Sequence, residues 1–324
     1  MRHRPRLATP LRTLLAAALL AAGCSGERAT GPGAPPPIDV AYLDNLYRLA
    51  VLRVGDEEAT ISDVYGAVPL AAGAGAMIYP TDAGALMRYT VGAAEPEVLP
   101  VPRPATRQAA ALSADGRTLA WIAPAEGGVY VYFADTETGA RDSLDMLATT
   151  EPVTLSHMLG TTPVLSPNGD RVGFLIEFSL SMLFVVVHRA DLRPEVRQLD
   201  VGTSAIEPLT GWPRWLPDDG IRFAARLWSG GGRTDSIGVL EARPFEEGGP
   251  TRLRFAAAPA ATIPVDGARS YSMSADGDAM VFMLTSDGRD GVFLLRDGDD
   301  LLQPLVFGAG LSPHYPILVP VRAP

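Results

Sequence analysis

The sequence predicts an all-β fold, a six-bladed β-propeller. The main observation is a turn phrase, Ser-x-Asp/Asn-Gly or a degraded form of it, which recurs at 112–116, 165–169, 215–220 and 273–277. After three of these copies an aromatic residue follows the glycine by five positions, at Trp121, Phe174 and Phe282. A repeat period of roughly 40 to 57 residues is typical of propellers and solenoids, whose units stack to bury their apolar faces.

Each turn phrase is followed by two apolar segments with a Gly/Asp-rich joint between them. The first segments are predicted strands at 118–123, 171–178, 221–228 and 279–284, and the second at 129–135, 182–190, 236–242 and 291–297. Their Val, Ile, Phe and Tyr content favours short antiparallel strands. A fifth, weaker pair lies at 76–80 and 85–91. Because no long apolar period of 3.6 residues occurs in the body, little helix is expected.

The two ends of the body complete each other. Residues 311–321 resemble the opening strands of a repeat that stops short, and residues 46–55 resemble the later strands of a repeat that lacks its start. Joined, they predict a sixth blade that closes the ring and removes exposed sheet edges. Seven blades are the alternative, because the long segment 190–211 could contain further strands.

The N-terminus has the pattern of an export signal. Four arginines precede a short apolar run at 14–22, too short to span a membrane, and small residues lead into Cys24, the only cysteine of the chain. Residues 20–24 resemble a bacterial lipobox, which implies a diacylglycerol on the Cys24 thiol. Ser25 in place of aspartate then favours the outer membrane, and several acyl chains make a durable anchor. The alternative is an ordinary secretory signal that leaves Cys24 as a free thiol.

Three regions follow from these patterns. Residues 1–23 are predicted to be a lipoprotein signal peptide and residues 38–324 a propeller. Residues 24–37 are rich in glycine, proline and polar residues, which cannot build a core, so they are predicted to be a disordered tether.

The turn phrase, with its aromatic residue and second strand, resembles the repeats of TolB-type β-propellers over about residues 40–324. The resemblance implies the fold but no particular function, since such propellers serve as docking platforms, sensors and substrate-gating domains. The chain departs from TolB by its lipobox and by lacking a preceding α/β domain, so the partners of TolB are not carried over. Asp115, Asn168 and Asp276 of the phrase are expected to have a structural role in their turns.

Composition and motifs argue against several functions. The formal charge is −10, and it becomes −14 without the four arginines of the signal, so nucleic acid is not a predicted partner. No HExxH, GxSxG or cysteine-based pair occurs, so no catalytic residue, metal or cofactor is predicted. The acidic segment 296–300 suggests calcium, but it lacks the spacing of a calcium loop and is better explained as a solvated turn.

Three histidines remain after the signal. His188 ends an apolar strand, where a structural imidazole is expected. His157 and His314 lie near the start of repeats, where the alternative to a structural role is a place at the mouth of the axial channel.

The segments just before the turn phrases are expected to form the innermost strands around the axis. They supply a candidate binding funnel of six residues: Arg107, Gln108, Thr161, Arg214, Arg269 and Tyr271. Such a funnel would suit a carboxylate or an acidic peptide end through bidentate arginine contacts. The alternative is that the arginines pair with neighbouring acids, such as Glu207, and hold the blades together.

The function predicted is a lipid-anchored, non-enzymatic module that binds a protein or peptide partner in the cell envelope. The expected location is the outer membrane facing the periplasm, with surface exposure as the alternative. Two other functions stay open: a propeller hydrolase or lyase with a metal in the axial channel, and the propeller part of a peptidase whose hydrolase domain lies elsewhere.

Overall fold

The structure is a computed structural model in which residues 37–324 form one compact unit. It describes residues 38–56, 58–65, 70–73, 75–90, 93–102, 110–147, 152–159, 161–178, 181–190, 193–200, 206–209, 211–229, 232–257, 267–274, 276–286, 289–307 and 314–320. Lipidation at Cys24 and two of the funnel residues, Arg107 and Gln108, fall outside this part of the chain.

The described residues form six sheets, antiparallel except for the parallel pairing of Gly211–Trp212 with the inner strand of the sixth, which confirms the six-bladed propeller. Blade 1 contains β1 (Ile38–Leu43), β2 (Arg48–Arg53) and β3 (Thr60–Tyr65). Blade 2 contains β4 (Ala71–Gly73), β5 (Ala76–Pro80), β6 (Leu86–Thr90) and β7 (Glu97–Leu99). Blade 3 contains β8 (Ala111–Leu112), β9 (Thr118–Ala125), β10 (Gly128–Asp135) and β11 (Arg141–Asp145).

A short helix, α1 (Pro152–Leu159), separates blades 3 and 4. Blade 4 contains β12 (Pro163–Leu165), β13 (Arg171–Phe178), β14 (Ser181–His188) and β15 (Pro194–Leu199). Blade 5 contains β16 (Ile206–Pro208), β18 (Arg214–Trp215), β19 (Ile221–Ser229), β20 (Gly232–Ala242) and β21 (Thr251–Ala257). Blade 6 contains β17 (Gly211–Trp212), β22 (Gly267–Met273), β23 (Ala279–Ser286), β24 (Arg289–Arg296) and β25 (Gln303–Phe307).

The seven-blade alternative is wrong. The described part of segment 190–211 supplies the outer strand β15 of blade 4, the inner strand β16 of blade 5 and the start of β17, so it adds no blade of its own. Among the described residues, no helix is both long and apolar enough to cross a bilayer.

Blade 1 is completed by the last strand, β26 (His314–Pro320), which pairs antiparallel with β1 from Ile38↔Pro320 to Leu43↔His314. The composite blade was predicted, but the number of strands that each terminal segment supplies differs from the prediction. The C-terminal segment supplies one inner strand and the N-terminal segment three, because Ile38–Leu43 is already extended and pairs with β2. Contacts between inner strands run from β22 through β26, β4, β8 and β12 to β18, and β17, which precedes β18 in the chain, pairs with β22.

The turn phrases are held by their own side chains. Ser113 Oγ accepts the backbone N–H of Thr118 at 2.9 Å and donates to Asp115 Oδ1 at 2.6 Å, while Gly116 has φ 77°. The copies at Ser166 and Ser274 repeat this arrangement. The structural role expected for the Asp and Asn of the phrase is therefore observed.

The degraded turn phrase at 215–220 forms a shorter turn than the other copies. Its turn is closed by a bond from Leu216 N to Gly220 O, one residue shorter than the bond from Ser113 N to Thr118 O. Asp219, with φ 63°, therefore takes the left-handed place that glycine holds elsewhere. Aspartate tolerates this conformation better than most residues, and its carboxylate becomes available to the neighbouring blade.

Among the described residues the hydrophobic core consists of six buried clusters, each shared by two adjacent blades. The aromatic residue that follows each clear turn phrase lies in one of them, since Trp121, Phe174 and Phe282 are all buried. Burying a large apolar side chain contributes about 1.5–3 kcal/mol. Because each blade buries its faces only against its neighbours, stability depends on the ring being closed.

Candidate functional site

A small cavity lies at the axis between the inner strands of the described blades. It has a volume of about 30 Å³, room for one or two water molecules. Its walls come from the inner strands of blades 2 to 6 and are mainly apolar: Ala72, Ala111, Leu112, Pro163, Val164, Leu165, Trp212, Pro213, Arg214, Ser272 and Met273.

Trp212 reaches from blade 6 to the edge of blade 2 beside the axial cavity. The chain leaves blade 5 after β16, pairs through β17 with β22 of blade 6, and returns to blade 5 as β18. This detour lets the Trp212 indole Nε1 donate to the Leu70 carbonyl, 3.3 Å away at the start of blade 2. Glycine is required at position 211, because a Cβ there would lie 2.3 Å from Tyr271 Cδ1 and 2.5 Å from the Tyr271 carbonyl oxygen.

The predicted funnel residues are dispersed. Arg214 lines the axial cavity, and burial lowers the pKa of its guanidinium, an effect that the charge of Asp276 partly offsets. Tyr271 instead packs in the core between blades 5 and 6, where burial raises the pKa of its hydroxyl. Thr161 Oγ1 donates to the Met158 carbonyl at 3.1 Å, near the end of α1. Arg269 lies on β22, but its side chain is outside the described set.

The remaining candidates have local roles. His188 Nε2 lies 3.8 Å from the Glu195 carboxylate on the adjacent strand. His157 is exposed on α1. Segment 296–300 forms a turn in which Asp299 accepts the Arg296 N–H at 3.1 Å, as the solvated-turn interpretation requires. Within the described ranges, no three His, Cys, Asp or Glu residues lie close enough to hold a metal ion.

An open cleft lies between blades 2 and 3. Its volume is about 600 Å³, within the usual range for ligand sites. Its walls are polar and carry both charges: Ala76, Arg88, Thr90, Glu97, Leu112, Asp115, Gly116, Arg117 and Glu137. The prediction from sequence missed this cleft, although the short turn and the alanine that begin β5 are visible in the sequence.

Ion pairs tie down the arginines of the cleft. Arg88 donates twice to Glu97 Oε2, at 2.7 and 3.1 Å. Arg117 Nε lies 3.6 Å from Glu137 Oε1, with both side chains more than half exposed. Burial alone would raise the pKa of Asp115, but hydrogen bonds from Ser113 and the Arg117 N–H hold it below its ordinary value. The Asp115 carboxylate is therefore ionised at neutral pH.

The architecture identifies the class of protein before any comparison does: a closed six-bladed β-propeller. No protein-family model matches the sequence, and no curated protein matches it. Among solved structures, TolB from Acinetobacter baumannii is similar with a TM-score of 0.59 and 13% identity, over 88% of this chain and 67% of that chain. This likeness establishes the TolB-type propeller fold that the turn phrase predicted.

Two further neighbours are more distant. A chain of the nidogen/laminin complex has a TM-score of 0.51 and 10% identity, over 87% of this chain and 98% of that chain. An oligogalacturonate lyase in complex with manganese has a TM-score of 0.46 and 13% identity, over 81% of this chain and 71% of that chain. That last likeness is too low to bear on function.

Proposed function

We propose that this chain is a cell-envelope protein, held at the outer membrane by lipid on Cys24, that binds a protein or peptide partner without catalysing a reaction. The observation that carries the proposal is the contrast between the two cavities. The contrast is one of size: the axial cavity described above has about 30 Å³, whereas the cleft has about 600 Å³ and is lined by five charged side chains. A small-molecule ligand needs roughly 300–1,000 Å³, so the cleft is the better candidate for recognition.

Two further points support binding. The cleft lies on the face of the ring that carries the Asp115–Gly116 turn, which is fixed by side-chain hydrogen bonds, and preformed polar groups of this kind favour recognition. The nidogen/laminin neighbour comes from a complex of two proteins, which is an analogy for a propeller that recognises another protein.

The test uses the full chain in detergent micelles against an array of peptides from envelope proteins. The strongest peptide is then titrated against Thr90→Trp, which fills the cleft, and Thr90→Ser as the matched control. We expect the tryptophan variant to bind more than about tenfold more weakly, equivalent to about 1.4 kcal/mol, at an unchanged melting temperature.

A second variant in the same test examines the alternative binding site, the predicted funnel at the axis. Replacing Arg107, Arg214 and Arg269 together by alanine should leave peptide binding intact if recognition occurs at the cleft. Loss of binding in this triple variant but not in Thr90→Trp would move the site to the axis. Hydrolytic or lyase turnover that disappears with a chelator and returns with metal would overturn the binding function altogether.

A further inference from the structure

In two interfaces of the ring, an arginine of one blade rests on the turn of the next. Arg171, at the start of β13 in blade 4, donates from Nη2 to Asp219 Oδ1 at 2.6 Å. Its guanidinium carbon lies 4.8 Å from the ring centre of Trp215, so the cation also stacks on an aromatic face. The turn of blade 5 is thus occupied by a guanidinium from blade 4.

An arginine of blade 5 contacts the turn of blade 6 in a similar way. Arg222 of β19 is 8% exposed and donates to the Asp276 carbonyl at 2.8 Å, in the turn of blade 6, and to the Asp278 carboxylate. Its Nε also donates to Glu241 at 2.9 Å within its own blade. Between blades 3 and 4 the equivalent space is filled by Thr118, which approaches so closely that a Cβ on Gly169 would lie 2.7 Å from its Oγ1.

Blade 2 leaves this space open. Its second strand β5 begins with Ala76, whose methyl group does not extend over the Asp115–Gly116 turn of blade 3, and the cleft lies there instead. The turn is built like the one at Asp276, with a serine hydroxyl and a backbone N–H both donating to the aspartate. The Asp115 carbonyl corresponds to the Asp276 carbonyl that accepts Arg222, whereas Gly116 and Arg117 hold the positions of Asp219 and Asp278. The carboxylates that could accept a guanidinium in the cleft are therefore those of Asp115 and Glu137.

The charges of the cleft fit a cation. Three carboxylates, on Glu97, Asp115 and Glu137, face two guanidiniums, on Arg88 and Arg117. Arg88 is held on Glu97, while the Glu137 side chain is 58% exposed and only loosely paired with Arg117. Asp115 and Glu137 can therefore accept hydrogen bonds from an incoming donor.

On the basis of the proposed function, we propose that the cleft between blades 2 and 3 receives an arginine side chain of the partner peptide. Its guanidinium would donate to the Asp115 carbonyl, as Arg222 donates to the Asp276 carbonyl, and to the carboxylates of Asp115 and Glu137. Arginine suits this place better than lysine, because its planar guanidinium donates in two directions at once to carboxylate and carbonyl acceptors.

The test uses three small probes on the full, isotopically labelled chain in detergent micelles. These are acetyl-Ala-Arg-Ala-amide, the lysine equivalent, and the citrulline equivalent, which has the shape of arginine without its charge. We expect the arginine probe to shift the amide signals of Ala76, Asp115, Gly116 and Arg117 in a saturable manner. The citrulline probe should bind about tenfold more weakly, because it cannot form the charge-assisted bonds. Equal shifts with all three probes, or none with arginine, would overturn the proposal.

A variant gives a measurement that is independent of any partner. Ala76→Arg should fill the cleft from within, raise the melting temperature above that of the matched control Ala76→Met, and abolish the shifts caused by the arginine probe. If Ala76→Arg melts no higher than Ala76→Met and the probe also fails, the arginine proposal is wrong, even if Thr90→Trp still weakens binding of an envelope peptide. If the arginine probe binds but no envelope peptide depends on the cleft, the proposed function fails and the arginine site stands.

Discussion

Removing the last strand tests whether the ring depends on its composite blade. Deleting residues 314–324 eliminates β26, the innermost strand of blade 1, and leaves β1 as a bare edge against the axis. Five residue pairs of the β1–β26 ladder disappear, together with the bond from Leu318 N to Ser272 Oγ of blade 6 at 3.2 Å. The deletion also opens the cluster between blades 1 and 6, in which Leu318 is 2% exposed and Val40 fully buried.

The expected loss is a large share of the total stability. About three or four net backbone hydrogen bonds contribute roughly 1 kcal/mol each. The loss of buried Leu318 adds about 2–3 kcal/mol, which brings the total to about 6 kcal/mol. A protein of this kind has about 5–15 kcal/mol altogether. We therefore expect the truncated chain either to aggregate or to melt more than about 10 °C lower, by the usual relation between free energy and melting temperature.

The assay is thermal unfolding followed by circular dichroism and light scattering. The matched control deletes residues 321–324 alone, which lie beyond β26 and should not change the transition. If the chain without 314–324 melts at the same temperature as the control, the two termini do not share a blade in solution, and the argument from complementary ends fails.

Two further perturbations address the anchor and the ion pairs between blades. Cys24→Ser removes the thiol that would accept the lipid, so we expect an unprocessed precursor without labelled palmitate; labelling equal to that of the natural chain would refute the anchor. Arg222→Met should cost about 3 kcal/mol in urea unfolding, because Glu241 and the turn of blade 6 lose a buried partner. Arg254→Met, which removes a 41%-exposed side chain with long ion pairs, should cost less than about 1 kcal/mol. Although burial alone would raise the pKa of Glu241, bonds from Arg222 and Arg243 hold it below its ordinary value. The natural chain should therefore lose stability as the pH falls through the acid range, and Arg222→Met should lose less; an equal loss in both would contradict the assignment.

The fold could be predicted because its signal is local and repeated. Each clear turn phrase fixes a hairpin through its own side chains, and the aromatic residue five positions later is buried between blades. The predicted strand at 171–178 has the observed bounds of β13, and those at 118–123 and 221–228 differ from β9 and β19 only at the C-terminal end.

The residues that line the axial cavity could not be predicted, because their placement depends on contacts between distant parts of the chain. Trp212 bonds to Leu70, 142 residues earlier, and no periodic pattern in the segment around Trp212 indicates that it leaves its blade for the next one. Tyr271 and Ser272 show a second limit. Neighbouring side chains on a strand point to opposite faces, but the sequence does not say which face of β22 meets the core and which meets the axis. Tyr271 meets the core, and Ser272 lines the axial cavity.

The cleft connects the way the ring is held together with the way it could recognise a partner. Arg222 shows that the backbone carbonyl of a turn built like the one at Asp115 accepts a guanidinium when the preceding blade provides one. Ala76 provides none to the turn at Asp115, and the closed ring tolerates the missing contact because the cluster between blades 2 and 3 still buries Leu112, Trp121 and Ile78. An exposed ion pair alone is worth only about 0–1 kcal/mol. A partner that depended on the cleft would therefore have to add contacts along its backbone or on neighbouring apolar surface, and the arginine would set its register more than its affinity.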